Sequence, residues 1–150
     1  MNIQEVHSIL LERFGAEIVG TEPKKATDSW IQVKAESIVD VGRFLKDDPR
    51  LSFDHLNDLC GVDYLEPDPK KAPKFGHEPH VEVVYHLTSM KYHHLLKLKV
   101  SVPRWKNDVE GQLPVVPSVS GVWGIANWHE RETYDLVGID FAGHPNLRRI

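Results

Sequence analysis

Two alternating runs on either side of Ser89 to His93 limit the fold of this chain more than any other feature. In the first, Val81, Val83, Tyr85 and Leu87 alternate with Glu82, Val84, His86 and Thr88. In the second, Leu96, Leu98, Val100 and Val102 alternate with Leu95, Lys97, Lys99 and Ser101. A period of two puts every second side chain on one face of a strand. The expectation is an antiparallel hairpin that turns through Ser89 to His93 and stops at Pro103, which has no N–H to give a ladder. On its polar side Glu82 and His86 should meet Lys97 or Lys99. A lone ribbon is marginally stable at best, so the rest of the chain must cover its apolar face.

Helices are the expected cover. Asn2 with Glu5 reads as a capping box, after which Ile3, Val6, Leu10 and Phe14 share a face and Gly15 ends the helix. Ser37 with Asp40 repeats the cap pattern ahead of Ile38, Val41 and Leu45, with Pro49 beyond the end. Glu17 to Gly20 and Ser29 to Lys34 read as short strands joined through Pro23-Lys24-Lys25. Leu51 to Leu65 is ambiguous, because Phe53, Leu56 and Leu59 suit a helix while Val62 and Tyr64 suit a strand. Glu66 to Gly76, rich in Pro and Lys, reads as an exposed loop. Gln112 to Pro117 is an extended connection, and Ser118 or Ser120 is the expected cap of a helix running to about Leu136. Gly138 is placed to end that helix in a left-handed conformation. Together these imply one α+β domain over residues 1–150, a mixed or antiparallel sheet with a clear hairpin and helices packed on one face.

Several functions are excluded or disfavoured. The net charge is -4 and the basic residues are dispersed, which argues against nucleic acid. Cys60 is the only cysteine, so the chain forms no internal disulfide and cannot by itself hold an iron-sulfur cluster of the usual four thiolates. Set in Leu59-Cys60-Gly61-Val62, it reads as a small buried residue, not a nucleophile. No phosphate-binding glycine loop, dinucleotide fingerprint or Gly-x-Ser-x-Gly elbow occurs. The N-terminus lacks a secretory pattern and no window approaches 18 apolar residues, so membrane contact is expected only through partners.

The most distinctive stretch is the last, from Ala126 to Ile150. On a helix Glu132 neighbours Asp135, Arg131 neighbours Asp135, and Trp128 shares the face of Glu132. Glu130 and Glu132 diverge by about 200° and cannot flank one substrate bond. Half-buried acids finding Arg148 or Arg149 would fix the C-terminal segment in place. A rival reading gathers His129, Glu132, Asp135 and His144 around a metal in a free-standing enzyme. Thr133 stands where a zincin would carry its second histidine, so that spacing is not met. The other histidines, His77 and His80 around Glu78-Pro79 and the adjacent His93 and His94, have no recognised ligand spacing either.

The pattern Asn127-Trp128-x-Glu130-Arg131-Glu132-x-Tyr134-Asp135-Leu136-x-Gly138-Ile139-x-Phe141-x-Gly143-His144-Pro145-Asn146-Leu147-x-Arg149-Ile150 closely resembles a known signature. It is that of the 30-kDa-type subunit, also called the C subunit, of proton-translocating NADH:quinone oxidoreductase, respiratory complex I. The resemblance continues upstream through Phe44 to Asp48, Phe53-Asp54-x-Leu56, Val62-Asp63-Tyr64, both hairpin strands and Pro117-Ser118-Val119. It implies a subunit of the hydrophilic arm with no catalytic, cofactor-binding or metal-binding residues of its own. FMN and the iron-sulfur clusters would lie in partner subunits. The partners implied are the large subunit that shapes the quinone pocket and the subunit with the terminal iron-sulfur cluster, on the cytoplasmic side of the membrane. Trp128, Glu130, Arg131, Glu132, Tyr134, Asp135, Gly138, Phe141, His144, Pro145, Arg148 and Arg149 would then shape an interface. Family members usually continue past Arg-Arg-Ile with a further tail, which is missing after Ile150. A homologous small subunit of membrane-bound nickel-iron hydrogenases or related dehydrogenases is the alternative the resemblance leaves.

Overall fold

The computed structural model describes residues 2–21, 30–64 and 79–149. The Pro23-Lys24-Lys25 turn, Ser29, the Glu66 to Gly76 loop, His77 and Ile150 lie outside the described residues.

The chain opens with α1 (Ile3–Phe14), capped as expected: Asn2 Oδ1 accepts the Glu5 N–H at 2.9 Å and Glu5 Oε2 accepts the Asn2 N–H at 3.3 Å. Strands β1 (Ile18–Thr21) and β2 (Ile31–Val33) follow, then α2 (Ile38–Asp47), β3 (His55–Asp63), β4 (His80–Ser89) and β5 (His94–Pro103). The final part holds β6 (Val115–Pro117), α3 (Ala126–Leu136) and β7 (Asp140–Ala142). Five strands form one sheet in the order β1-β2-β5-β4-β3. All its neighbours are antiparallel except β2 and β5, which run parallel. β6 and β7 make a separate parallel pair.

The hairpin has the expected register, with Val83 opposite Val100, Tyr85 opposite Leu98 and Leu87 opposite Leu96. His86 stands opposite Lys97, and Lys99 Nζ lies 3.9 Å from Glu82 Oε2. The apolar set of β4 and β5 joins Val6 and Leu10 of α1, Ile38, Val41 and Leu45 of α2 and Ala126 of α3 in one buried core. All three helices therefore cover the same face, and Glu82, His86, Lys97 and Lys99 lie on the other one. No described helix is long and apolar enough to cross a membrane.

Two local expectations are corrected and one ambiguity is resolved. Ser37 does not cap α2; its hydroxyl donates to Glu17 Oε2 at 2.6 Å, across to the segment before β1. Neither Ser118 nor Ser120 caps α3, which begins after Ile125 and has no side-chain cap. Backbone turns already occupy its first donors, Ala126 N–H to Trp123 O at 2.9 Å and Asn127 N–H to Gly124 O at 3.2 Å. The ambiguous stretch from Leu51, described as far as Tyr64, holds β3 and no helix; Leu65 lies outside the described residues. A bulge between Leu56 and Asp58 inserts one residue, so Leu56 and Leu59, three apart, both face the core. Phe53 is buried ahead of the strand, its N–H on Leu45 O at 2.8 Å. The helical spacing of these residues is thus a strand with a bulge.

Candidate functional site

α3 is seated by what lies beneath it. Ala126, Glu130 and Thr133 face inward, and Val137 packs against the core just past the helix end. Gly61 of β3 makes room for that face: a Cβ there would lie 2.8 Å from Thr133 Cγ2 and 3.1 Å from Val137 Cγ2. Gly61→Ala must push α3 off the strand, and about 1–3 kcal/mol of stability should be lost, read as a lower urea midpoint. An unchanged midpoint would mean that α3 is not packed this tightly. The helix ends at Gly138, whose φ of +86° is the left-handed conformation expected of it. From there the chain enters β7, where Phe141 is buried opposite Val116.

Glu130 is wholly buried, at 0% exposure. Its Oε1 accepts the Ser118 hydroxyl at 2.8 Å, while Oε2 has no hydrogen-bond partner among the described residues. Burial pushes this carboxyl up to about 7, against the opposing pull of Ser118 and the N–H groups of Val119 and Ser120. The fully buried hydroxyl of Tyr85 also has no partner among the described residues, and burial together with the Glu130 charge pushes its phenol well up. Glu130 therefore belongs to the interior and has no arginine partner among the described residues.

The opposite face of α3 points outward. Trp128 is 58% exposed and Leu136 76%, with Glu132 and Asp135 exposed between them. The Arg131 guanidinium lies 4.8 Å from the centre of the Trp128 ring. It donates through Nε to the Arg148 carbonyl at 3.2 Å and through its NH2 group to the Arg149 carbonyl at 3.3 Å. Arg149 Nε lies 3.4 Å from Asp135 Oδ1, an exposed ion pair of small energetic worth. His144 ties the same segment to the start of the helix. Its Nδ1 accepts the Asn146 N–H at 3.0 Å, which leaves the ring proton on Nε2, 3.0 Å from the Asn127 carbonyl. Leu147 packs against the core, Tyr134 is half-buried, and Pro145 and Arg148 are exposed.

The C-terminal segment is thus fixed to α3 mainly by side-chain donors on backbone carbonyls. The expected acid and arginine pairing holds for Asp135 with Arg149 alone among the described residues. The four groups of the metal-enzyme reading are not gathered. His144 faces the Asn127 carbonyl, Asp135 faces Arg149, and His129 Nδ1 lies 3.3 Å from Asp58 Oδ1 on β3. Sequence reasoning missed Gly61 and Tyr85, brought to α3 from distant strands, and it gave Ser118 the role of cap where its hydroxyl donates to Glu130. Cys60 is also corrected: it is only partly buried.

Residues 31–150 match the family model described as respiratory-chain NADH dehydrogenase, 30 Kd subunit. The C subunit of the NADH-quinone oxidoreductase of Roseiflexus sp. (strain RS-1) is 49% identical over 123 residues, 82% of this chain and 61% of that protein. The C subunit numbered 2 of the same enzyme in Rhizobium etli (strain CIAT 652) is 42% identical over 141 residues, 94% of this chain and 65% of that protein. The chain therefore spans a little over six tenths of the length of these curated relatives. Among solved structures, a trypsin-resistant fragment of Nqo5 aligns at TM-score 0.66 and 29% identity, over 95% of this chain and 98% of that one. A chain of an archaeal membrane-bound sulfane sulfur reductase aligns at TM-score 0.69 and 23% identity, over 97% of this chain and 73% of that one, and shares the fold.

Proposed function

The chain belongs to the family of the 30-kDa subunit of respiratory-chain NADH dehydrogenase, and on that premise we propose that it is a cofactor-free assembly subunit of an NADH:quinone oxidoreductase. It sits in the hydrophilic arm, on the cytoplasmic side of the membrane, beside the large subunit that shapes the quinone pocket and the subunit with the terminal iron-sulfur cluster. FMN and the clusters belong to partners, and electrons pass from NADH to quinone outside this chain.

The outward face of α3 carries this reading. Trp128 and Leu136 leave large apolar surfaces in water on one helix, while Arg131 and His144 hold the C-terminal segment alongside in a set conformation. An exposed aromatic on a rigid support, rimmed by charge, is the composition of an interface anchor. No group on that face is placed as a nucleophile with its base, so it offers contacts and not chemistry. The equivalent place in a membrane-bound nickel-iron hydrogenase is the weaker reading, because the relatives named above are subunits of NADH-quinone oxidoreductases.

The test is mild-detergent purification of the tagged chain from its host's membranes, with partners identified by mass spectrometry. Co-purification with iron-sulfur subunits and NADH-dependent quinone reduction is expected. In Trp128→Ala with Leu136→Ser recovery of partners should fall at least about tenfold while the melting temperature of the isolated chain moves little, since both side chains are exposed. Nickel-iron partners, or recovery of the wild-type chain alone, would contradict the reading.

A further inference from the structure

The face of the sheet opposite the helices brings three donors of metal-ligand type together at its β3 edge. On β3 the period of two puts Asp58 and Cys60 on one face, and the antiparallel register sets His86 of β4 directly opposite Asp58. A carboxylate oxygen, the thiol sulfur and an imidazole nitrogen lie within 4.8 Å of one another. From α3, His129 Nδ1 reaches to 3.3 Å from Asp58 Oδ1, so it touches the carboxylate from outside the group of three. The group is accessible, with the Asp58 side chain 50% exposed and Cys60 and His86 partly so.

We propose that Asp58, Cys60 and His86 form a three-ligand binding site for a divalent transition-metal ion of zinc type, with water filling the fourth position. The donor set selects the class. One thiolate, one imidazole and a carboxylate suit Zn²⁺, Co²⁺ or Ni²⁺, whereas Mg²⁺ and Ca²⁺ take oxygen shells. Zinc bonds of about 2.0–2.3 Å need ligand atoms roughly 3.3–3.8 Å apart, so side-chain rotations need close the group by no more than about 1.5 Å. Short, partly exposed side chains on two hydrogen-bonded strands can do so while the backbone stays in register.

Binding replaces the S–H bond of Cys60 with a sulfur-metal bond and releases one proton to solvent. Burial, with the charges of Asp58 and Glu132, pushes the free thiol up against a smaller opposing pull from Lys97, so uptake strengthens as pH rises. An ion held there joins β3 to β4 at the sheet edge. This is a structural clasp, with no step in electron transfer, and it rests on the geometry of this chain independently of its family assignment.

The test uses the purified reduced chain. Cobalt titration should give a thiolate-to-cobalt charge-transfer band saturating at one ion per chain, and a competing chromophoric chelator should give the zinc affinity. Cys60→Ser should abolish the band. Both Cys60→Ser and His86→Ala should weaken zinc by about 100-fold, while His55→Ala, at an exposed position of the same strand, should leave it unchanged. Circular dichroism checks that the variants fold, and a zinc-dependent rise in the wild-type melting temperature gives a readout free of substitution. Absence of the band, or zinc binding that Cys60→Ser and His86→Ala do not alter, would overturn the site.

Discussion

Glu130→Gln is expected to raise stability at pH 8 by about 3 kcal/mol and to leave it nearly unchanged at pH 4. The carboxyl rises from an ordinary value near 4.5 to about 7 because burial disfavours its charge. Below pH 4.5 it is protonated whether the chain is folded or not, and it costs nothing. Between about 4.5 and 7 the unfolded chain gives up the proton while the folded one keeps it, so stability falls as pH rises. Above 7 the loss is complete, and ionised Glu130 stays in the core beside Tyr85. Glutamine has the shape of the neutral acid and can still accept from Ser118, so the variant should lose this slope. Urea unfolding at pH 4, 6 and 8 checks it; parallel curves for both proteins would mean that Glu130 is not buried in a group held protonated.

The second large effect is expected at Trp123. The indole is buried against Gly42 of α2, where a Cβ would lie 3.0 Å from its ring, and its N–H donates to the Phe53 carbonyl at 3.0 Å. Trp123 thereby joins α2, the segment before β3 and the turn that leads into α3. Trp123→Ala should cost about 3–5 kcal/mol, a large part of the roughly 5–15 kcal/mol available to a domain of this size. Trp123→Phe keeps most of the apolar surface but strands the Phe53 carbonyl, and should lose about 1–3 kcal/mol. Denaturant midpoints for the pair separate packing from the hydrogen bond. Equal losses would show that the hydrogen bond, not packing, dominates.

What could be read from the residues alone was what neighbours along the chain decide. Asn2 and Glu5 cap α1 across one turn, the β4–β5 hairpin closes through a few residues, and Gly138 must take a positive φ because the helix ends there. What could not be read depended on partners beyond the local turn. Ser37 prefers Glu17 to the helix behind it, and Ser118 prefers Glu130. The bulge that turns Leu56 and Leu59 to one face carries no residue that marks it, and without β3 the grouping of Asp58, Cys60 and His86 has no visible spacing. Helical geometry separates Glu130 from Glu132 but does not say which faces the core. That choice is made by Gly61, which lets α3 approach β3 on the Thr133 side. The stretch carrying the family resemblance thus mixes two kinds of residue. Glu130, Gly138 and Phe141 build the fold, whereas Trp128, Glu132 and Leu136 face outward.

The outward face of α3 as a docking surface is tested most directly by placing a photo-cross-linking amino acid at Trp128 and, as reference, at Leu11 of α1, which is 42% exposed. Irradiation in intact membranes of the host, followed by mass spectrometry, identifies what lies against each position. The account predicts an adduct from position 128 to another component of an NADH-quinone oxidoreductase, in higher yield than from position 11. Adducts from position 128 no more abundant or specific than those from position 11 would contradict it.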